Sequence, residues 1–192
     1  MIQKLVSWTE AFAKHKHNEL YLFAVAFTES SFFLIPPDVL IIAILSHGIK
    51  VSWLRIASIS TVGSVLGGIF GYLIGSFFYT HIGEPVVVMY GLQEEVLYVG
   101  EQFKKNAFLS ILVAAFTPIP YKVFTISAGL FSLNLFTFIG ASIVGRGARF
   151  FLVAFLADRY GEKTKEFIVK KFDAVFFVIG ILILFLLYFV NK

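Results

Sequence analysis

The stretch FFLIPPDVLI, residues 32–41, places two adjacent prolines and an aspartate inside an otherwise apolar segment. Proline removes a backbone donor and biases the preceding residue away from helix, so Pro36 and Pro37 must break any helix through residues 20–47. Each remaining half has about 13 residues and spans roughly 20 Å, too short to cross about 30 Å of hydrocarbon. The segment therefore predicts a re-entrant hairpin that enters and leaves the membrane on one side, with its non-helical tip buried in protein or water.

The composition indicates an integral membrane protein. Of 192 residues, 58% are hydrophobic and 18% aromatic, and the mean hydropathy is +0.86, far above soluble norms. The net charge of +4 comes from basic residues in short loops beside apolar runs. That distribution is typical of contact with anionic lipid headgroups, and it argues against nucleic-acid binding. The absence of cysteine excludes thiolate metal sites and cysteine nucleophiles.

A second stretch, FTPIPYKVFT at residues 116–125, repeats the broken pattern. When the two stretches are superposed, Lys122 falls on Asp38 and the proline positions align. We therefore predict a second re-entrant hairpin over residues 106–130. The predicted hairpin tips are Pro36 and Pro37 in the first copy, and Pro118 and Pro120 in the second.

The remaining segments complete an all-α, polytopic membrane protein. Since a hairpin returns the chain to its starting face and a span carries it across, the second half is expected to be inverted relative to the first. Residues 18–171 form the membrane domain in this prediction. The other predicted elements are an amphipathic interfacial helix over 1–17, transmembrane helices over 52–79, 134–157 and 172–192, a surface helix over 85–105 opened by Pro85, and a charged loop over 158–171.

Four glycines recur every four residues in the first predicted span: Gly63, Gly67, Gly71 and Gly75. This spacing makes a groove along one helix face that lets another helix backbone approach closely. We interpret these glycines as helix-packing positions and not as a ligand path.

Five ionisable side chains lie at membrane depth: Glu29, Asp38, Lys122, Arg146 and Arg149. Each costs about 2.5–3.5 kcal/mol near a helix centre if unpaired, so they are expected to converge on a cavity or on each other. The superposed repeats predict that Asp38 and Lys122 face each other at the hairpin tips. Arg146 and Arg149, three residues apart, share a helix face. A purely structural role, as salt bridges that fix helix register, is the alternative interpretation.

The charge count favours a ligand site, because three bases and two acids leave one base without an acidic partner. Basic side chains with several donors suit phosphate oxygens, so Lys122, Arg146 and Arg149 are the predicted headgroup-binding residues. Carboxylates in a poorly hydrated cavity can take up and release protons, which makes Glu29 and Asp38 the predicted proton-coupling residues, with Glu29 the better candidate.

The sequence gives no support for a metal site, a cofactor site or a catalytic site. The four histidines, His15, His17, His47 and His81, lie near predicted interfaces without ligand spacing, so neither a metal nor a cofactor is expected. Serines occur without a histidine at the same depth, and no nucleophile is paired with a base. We therefore do not expect an enzyme.

Several motifs resemble the DedA family, also called the VTT or SNARE-associated Golgi domain family, and in particular its YqaA-like bacterial branch. They are Glu29 ahead of the Pro36-Pro37 tip and Asp38, GGIFGYLIG at 67–75, FTPIPYKVFTISAG at 116–129, and GRGARFF at 145–151. Lys122 stands near a position where the family has arginine, and Arg146 and Arg149 are the hypothetical substitutes. The resemblance implies two facing re-entrant hairpins, residence in the bacterial inner membrane, and transport or scrambling of lipids. For several members it also implies undecaprenyl phosphate recycling and dependence on proton motive force.

The sequence thus predicts a multi-pass flippase or scramblase that moves an anionic lipid, such as undecaprenyl phosphate or a phospholipid, between leaflets. Membrane lipids with anionic headgroups are the expected partners, and a homo-oligomer is left open. Two alternatives remain at this point. One is a proton- or cation-coupled transporter of a small solute, and the other is a non-transporting membrane assembly factor.

Overall fold

A computed structural model describes residues 12–13, 15–33, 35–46, 51–117 and 119–161, and these residues form helices without any strand. The all-helical prediction is therefore confirmed for this part of the chain. The predicted helices over 1–17 and 172–192 and the loop over 158–171 lie mostly or wholly outside it. The described helices are α1 (Asn18–Ser31), α2 (Pro37–Ser46), α3 (Trp53–Phe78), α4 (Glu84–Tyr90), α5 (Gln93–Lys105), α6 (Ala107–Phe116), α7 (Tyr121–Leu130) and α8 (Leu135–Tyr160).

Two helical segments of the described chain are long and apolar enough to cross a membrane, and they coincide with the spans predicted over 52–79 and 134–157. They are Trp53–Tyr90, which contains α3, and Leu135–Tyr160, which is α8. The segments predicted as hairpins each hold two shorter helices with a break between them. Pro37 opens α2 and Pro120 immediately precedes α7, because proline is tolerated at a helix start and not inside it.

The glycines of α3 lie where neighbouring backbones come closest. A Cβ atom added at Gly67 would overlap the backbone of Phe27 in α1, and one added at Gly75 would overlap the carbonyl of Ile126 in α7. A Cβ added at Gly63 would meet the carbonyl of Phe23 in α1, and one added at Gly71 would meet the side chain of Thr125 in α7. One face of α3 therefore packs closely against α1 at Gly63 and Gly67, and against α7 at Gly71 and Gly75.

Each of the two long helices, α3 and α8, packs against one helix of the first pair, α1 and α2, and one helix of the second pair, α6 and α7. Helix α1 packs on α3 and α6 packs on α8, whereas α2 packs on α8 and α7 packs on α3. The buried apolar side chains form two clusters. One joins α2 to the second half of α8 and includes Ile41 and Phe150, and the other joins α6 and α7 to the first half of α8 and includes Ile111 and Phe138. The two breaks are thereby held beside the middle of both long helices.

The segment predicted as one surface helix over 85–105 is divided between α4 and α5, and Pro85 lies in the first turn of α4. The chain runs from α3 through a π-helical turn, Tyr79–Gly83, directly into α4, and the continuous segment of 38 residues is about 57 Å long. In this turn the amide of Glu84 bonds five residues back, to Tyr79, just before the proline that lacks a donor. The segment ends at Gly91, whose φ of 67° suits glycine, and α5 then begins separately.

Replacing Gly67 by alanine should destabilise the protein by about 1–3 kcal/mol, because the new methyl group meets backbone that cannot rotate away. The matched control is Gly140→Ala in α8, where an added Cβ meets nothing within 4 Å. The control should be neutral or stabilising, since alanine is the better helix former. Thermal unfolding of the purified protein in mild detergent measures both, and equal unfolding temperatures would show that α1 and α3 do not touch at this point.

Candidate functional site

All five ionisable residues expected at membrane depth line a single cavity of about 150 Å³ between the two helix breaks. One water occupies about 30 Å³ of liquid, so the cavity can hold several waters or a group of phosphate size. The charged residues come from α1, α2, α7 and α8. The complete lining is Glu29, Pro36, Pro37, Asp38, Thr117, Ile119, Pro120, Lys122, Arg146 and Arg149.

Arg149 connects the two breaks. Its Nη2 and Nε donate to the two carboxylate oxygens of Asp38 at 2.7 and 3.3 Å, and its Nη1 donates to the carbonyl of Thr117 at 2.8 Å. Asp38 lies in the first turn of α2, where the helix dipole favours a negative charge, and Thr117 caps the end of α6. Both charged side chains are more than nine-tenths buried. One guanidinium therefore neutralises the Asp38 carboxylate at the start of α2 and donates a hydrogen bond to the Thr117 carbonyl at the end of α6.

Arg146 holds the end of α1 against α3 and α8. Its Nη2 donates to Glu29, and its Nε donates to Ser64 Oγ at 2.6 Å. The guanidinium carbon lies 4.9 Å from the ring centroid of Tyr121 and 4.8 Å from that of Phe150, within the range of a cation–π contact. Arg146 is thus paired, hydrogen-bonded and enclosed by aromatic rings, as a buried charge requires.

The predicted pairing of Asp38 with Lys122 is not observed, since Arg149 takes both carboxylate oxygens of Asp38. Lys122 Nζ donates instead to the backbone carbonyl of Phe33, at 3.2 Å. Within the described ranges Lys122 has no acidic group within 4 Å. The two breaks do meet at this lysine, because Phe33 belongs to the first break and Lys122 follows the second.

A network of hydroxyl groups, which the charge analysis missed, supports the site. Ser30 Oγ lies 2.6 Å from Ser64 Oγ, and Ser31 Oγ donates to the carbonyl of Gly67 at 2.9 Å. Thr125 Oγ1 donates to the carbonyl of Ser30 at 3.1 Å, which ties α7 to α1. The signal in the sequence is the Ser30-Ser31 pair at membrane depth, where hydroxyls commonly bond to neighbouring helices.

The three histidines that the structure describes do not line this cavity. His15 and His17 are exposed, His81 stacks on the ring of Phe77, and His47 lies outside the described residues. Among the described residues, no three histidine, cysteine, aspartate or glutamate side chains are grouped so that they could hold a metal ion.

Comparison with known proteins gives the family. A profile of the VTT domain matches residues 35–159. The chain belongs to the VTT-domain (DedA) family. Proteins of this family are membrane proteins generally associated with lipid or solute transport.

The similarity to related proteins covers more of the chain than the VTT domain match does. An uncharacterized protein of Haemophilus influenzae is 37% identical over 175 residues, which cover 91% of this chain and 88% of the relative. An uncharacterized protein of Histophilus somni is 30% identical over 85% of this chain and 82% of its own length. One from Methanocaldococcus jannaschii is 28% identical over 58% of this chain and 66% of its own length. No solved structure matches the chain significantly.

The VTT domain match contains Asp38, Lys122, the two arginines and the second break, whereas it begins within the first break and Glu29 precedes it. In the structure Glu29 nevertheless completes the site, because α1 packs along α3 and delivers the carboxylate to Arg146. The cavity is therefore built from the VTT domain together with the helix just before it.

Replacing Arg149 by methionine should destabilise the protein by about 3–5 kcal/mol, because the change leaves Asp38 buried without a partner. The control is Arg55→Met, which breaks a more exposed ion pair between Arg55 and Glu19 and should cost no more than about 1 kcal/mol. Thermal unfolding in mild detergent compares the two variants. A loss at Arg149 no larger than that at Arg55 would contradict the geometry described for Asp38.

Proposed function

We propose that this VTT-domain protein moves lipids with anionic headgroups between the leaflets of the bacterial inner membrane, and that the headgroup passes through the cavity between the two helix breaks. The observation that carries the proposal is the convergence of three basic and two acidic side chains on that cavity. The site therefore has an excess of one positive charge. Undecaprenyl phosphate and phospholipids are the candidate substrates, because both join a phosphate to hydrocarbon chains.

Lys122 is the group best placed to meet a headgroup first. Arg146 and Arg149 are each occupied by a carboxylate, whereas Lys122 donates to a backbone carbonyl at 3.2 Å. Exchange of that neutral acceptor for a phosphate oxygen would add the attraction of a negative charge to a hydrogen bond whose donor is already charged. The two arginines would contribute to headgroup binding only after their own ion pairs open.

The arrangement of the helices supports passage from both sides of the membrane. In the first pair α1 packs on α3 and α2 packs on α8, whereas in the second pair α6 packs on α8 and α7 packs on α3. Such an exchange is expected for two related halves that face each other. In transporters built from inverted repeats, the substrate site lies between broken helices near the membrane midplane. Here the headgroup would occupy that site, and the hydrocarbon chains would stay in the bilayer.

Glu29 is the proposed proton-coupling group, and its contact with Arg146 explains how coupling could work. The side chain of Glu29 is 18% exposed, whereas that of Asp38 is 8% exposed, so water reaches Glu29 more readily. A proton on Glu29 would remove the charge that holds Arg146. The guanidinium would then be free to bind a phosphate oxygen, and the headgroup site would gain a second base.

Lys122→Gln should reduce transfer of an anionic lipid at least about tenfold, the loss expected when a hydrogen bond to a charged group is removed. The protein is reconstituted in vesicles, and the fraction of labelled phosphatidylglycerol accessible from outside is followed over time. Lys104→Gln is the matched control, because Lys104 is an exposed lysine paired with Glu101 on α5. Transfer by Lys122→Gln at the wild-type rate would exclude Lys122 from the headgroup path.

Glu29→Gln should make the transfer rate independent of a pH difference across the vesicle membrane, because the amide can neither take up nor release a proton. Wild-type protein should respond to that difference. Asp38→Asn tests the other carboxylate in the same assay. Dependence on pH that persists in Glu29→Gln and disappears in Asp38→Asn would move the coupling role to Asp38.

A further inference from the structure

Thr117 lines the cavity, and its buried hydroxyl has no hydrogen-bond partner among the described residues. Thr117 follows the last residue of α6 and is 2% exposed, and no described residue bonds to its Oγ1. Buried polar side chains are nearly always hydrogen-bonded to protein or water, so an unpaired hydroxyl on a residue that lines a cavity calls for a partner that the protein alone does not supply.

The backbone around Thr117 explains why its hydroxyl is left over. Hydroxyls inside helices bond back to the carbonyl four residues earlier, as Thr61 Oγ1 does to Ala57 at 2.8 Å. Thr117 is not inside a helix, since it caps the end of α6 and its ψ of 168° is extended. Its amide donates to the carbonyl of Val113 at 2.9 Å, and its carbonyl accepts from Arg149. Both backbone groups of Thr117 are thus bonded, while its hydroxyl has no partner among the described residues.

Among the described residues one other buried hydroxyl, that of Ser46, lacks a partner, and it does not point to a ligand. Ser46 ends α2, does not line this cavity, and immediately precedes residues 47–50, which lie outside the described ranges. Thr117 differs because it shares its cavity with Lys122, which has no acidic partner among the described residues.

We propose that Thr117 Oγ1 and Lys122 Nζ form a subsite for a phosphate group, in which the hydroxyl donates to one phosphate oxygen and the ammonium binds another. The two donors flank the second helix break and line the same cavity, so one ligand with several acceptor oxygens could use both. This inference rests on the proposed function for the role of Lys122 and adds a second recognition group to it. The phosphate can belong to a lipid headgroup or be free in solution.

The test compares Thr117→Val and Thr117→Ser with wild type in two measurements on the full chain in mild detergent. Calorimetry measures binding of inorganic phosphate and, separately, of short-chain phosphatidylglycerol. Thermal unfolding without ligand measures stability. Thr61→Val is the matched control, since its hydroxyl is bonded to Ala57 within α3 and does not line the cavity.

Thr117→Val should weaken phosphate binding at least about tenfold without lowering the unfolding temperature, because valine keeps the shape and removes a hydroxyl that has no partner in the protein. Thr117→Ser should restore binding. Thr61→Val removes a hydroxyl that has a partner and lies outside the cavity, so it should leave phosphate binding unchanged. A loss of phosphate binding without a loss of stability indicates a ligand contact. If the hydroxyl had a structural role, its removal would also lower the unfolding temperature of the unliganded protein.

Unchanged binding in Thr117→Val would overturn the subsite, and so would a fall in its unfolding temperature that matches the loss of binding. If Lys122→Gln loses binding while Thr117→Val keeps it, the subsite fails and the proposed headgroup site stands. If neither change affects binding, both fail. Binding of inorganic phosphate without phosphatidylglycerol would support the subsite with free phosphate as its ligand and would count against lipid transfer.

Discussion

The structure depends on one constraint, which is that hydrocarbon cannot satisfy a broken backbone or a charge. Two helices end inside the apolar part of this chain because proline ends them, and each leaves polar groups without partners. Arg149 binds polar groups at both breaks, namely the carboxylate at the start of α2 and the carbonyl at the end of α6. This side chain thereby links the two breaks, and the cavity is the space that remains between them.

The glycines of α3 make this arrangement sterically possible. Since the backbones of α1 and α7 touch α3 where it has no side chains, the hydroxyls of Ser30 and Ser31 at the end of α1 come within reach of α3. The hydroxyl of Thr125 in α7 donates to the carbonyl of Ser30 and so joins the two helix pairs directly. Close packing and polar pairing therefore support each other around the site.

The sequence predicts the helix breaks and the convergence of charges, because proline chemistry and the cost of buried charge are local rules. It does not predict the partner of Asp38. Superposed repeats place Lys122 opposite Asp38, whereas the rotation of α8, which decides where Arg149 points, depends on packing against α2 and α6. The continuity of α3 with α4 was missed for a similar reason, since the π-helical turn before Pro85 accommodates a residue that ordinarily starts or breaks a helix. The unpaired hydroxyl of Thr117 depends on backbone geometry that no spacing reveals.

The central claim is that the two breaks face each other inside the membrane, and cross-linking between them tests it most directly. The chain has no cysteine, so Phe33→Cys and Lys122→Cys can be combined without other substitutions. The account predicts that a short bifunctional thiol reagent joins these positions within one chain in intact membranes, because the Lys122 ammonium bonds to the Phe33 carbonyl. A control pair of Phe33→Cys with Phe136→Cys, at the start of α8, should remain unjoined. Failure of the 33–122 pair to cross-link, while both cysteines react singly with a thiol reagent, would contradict the account.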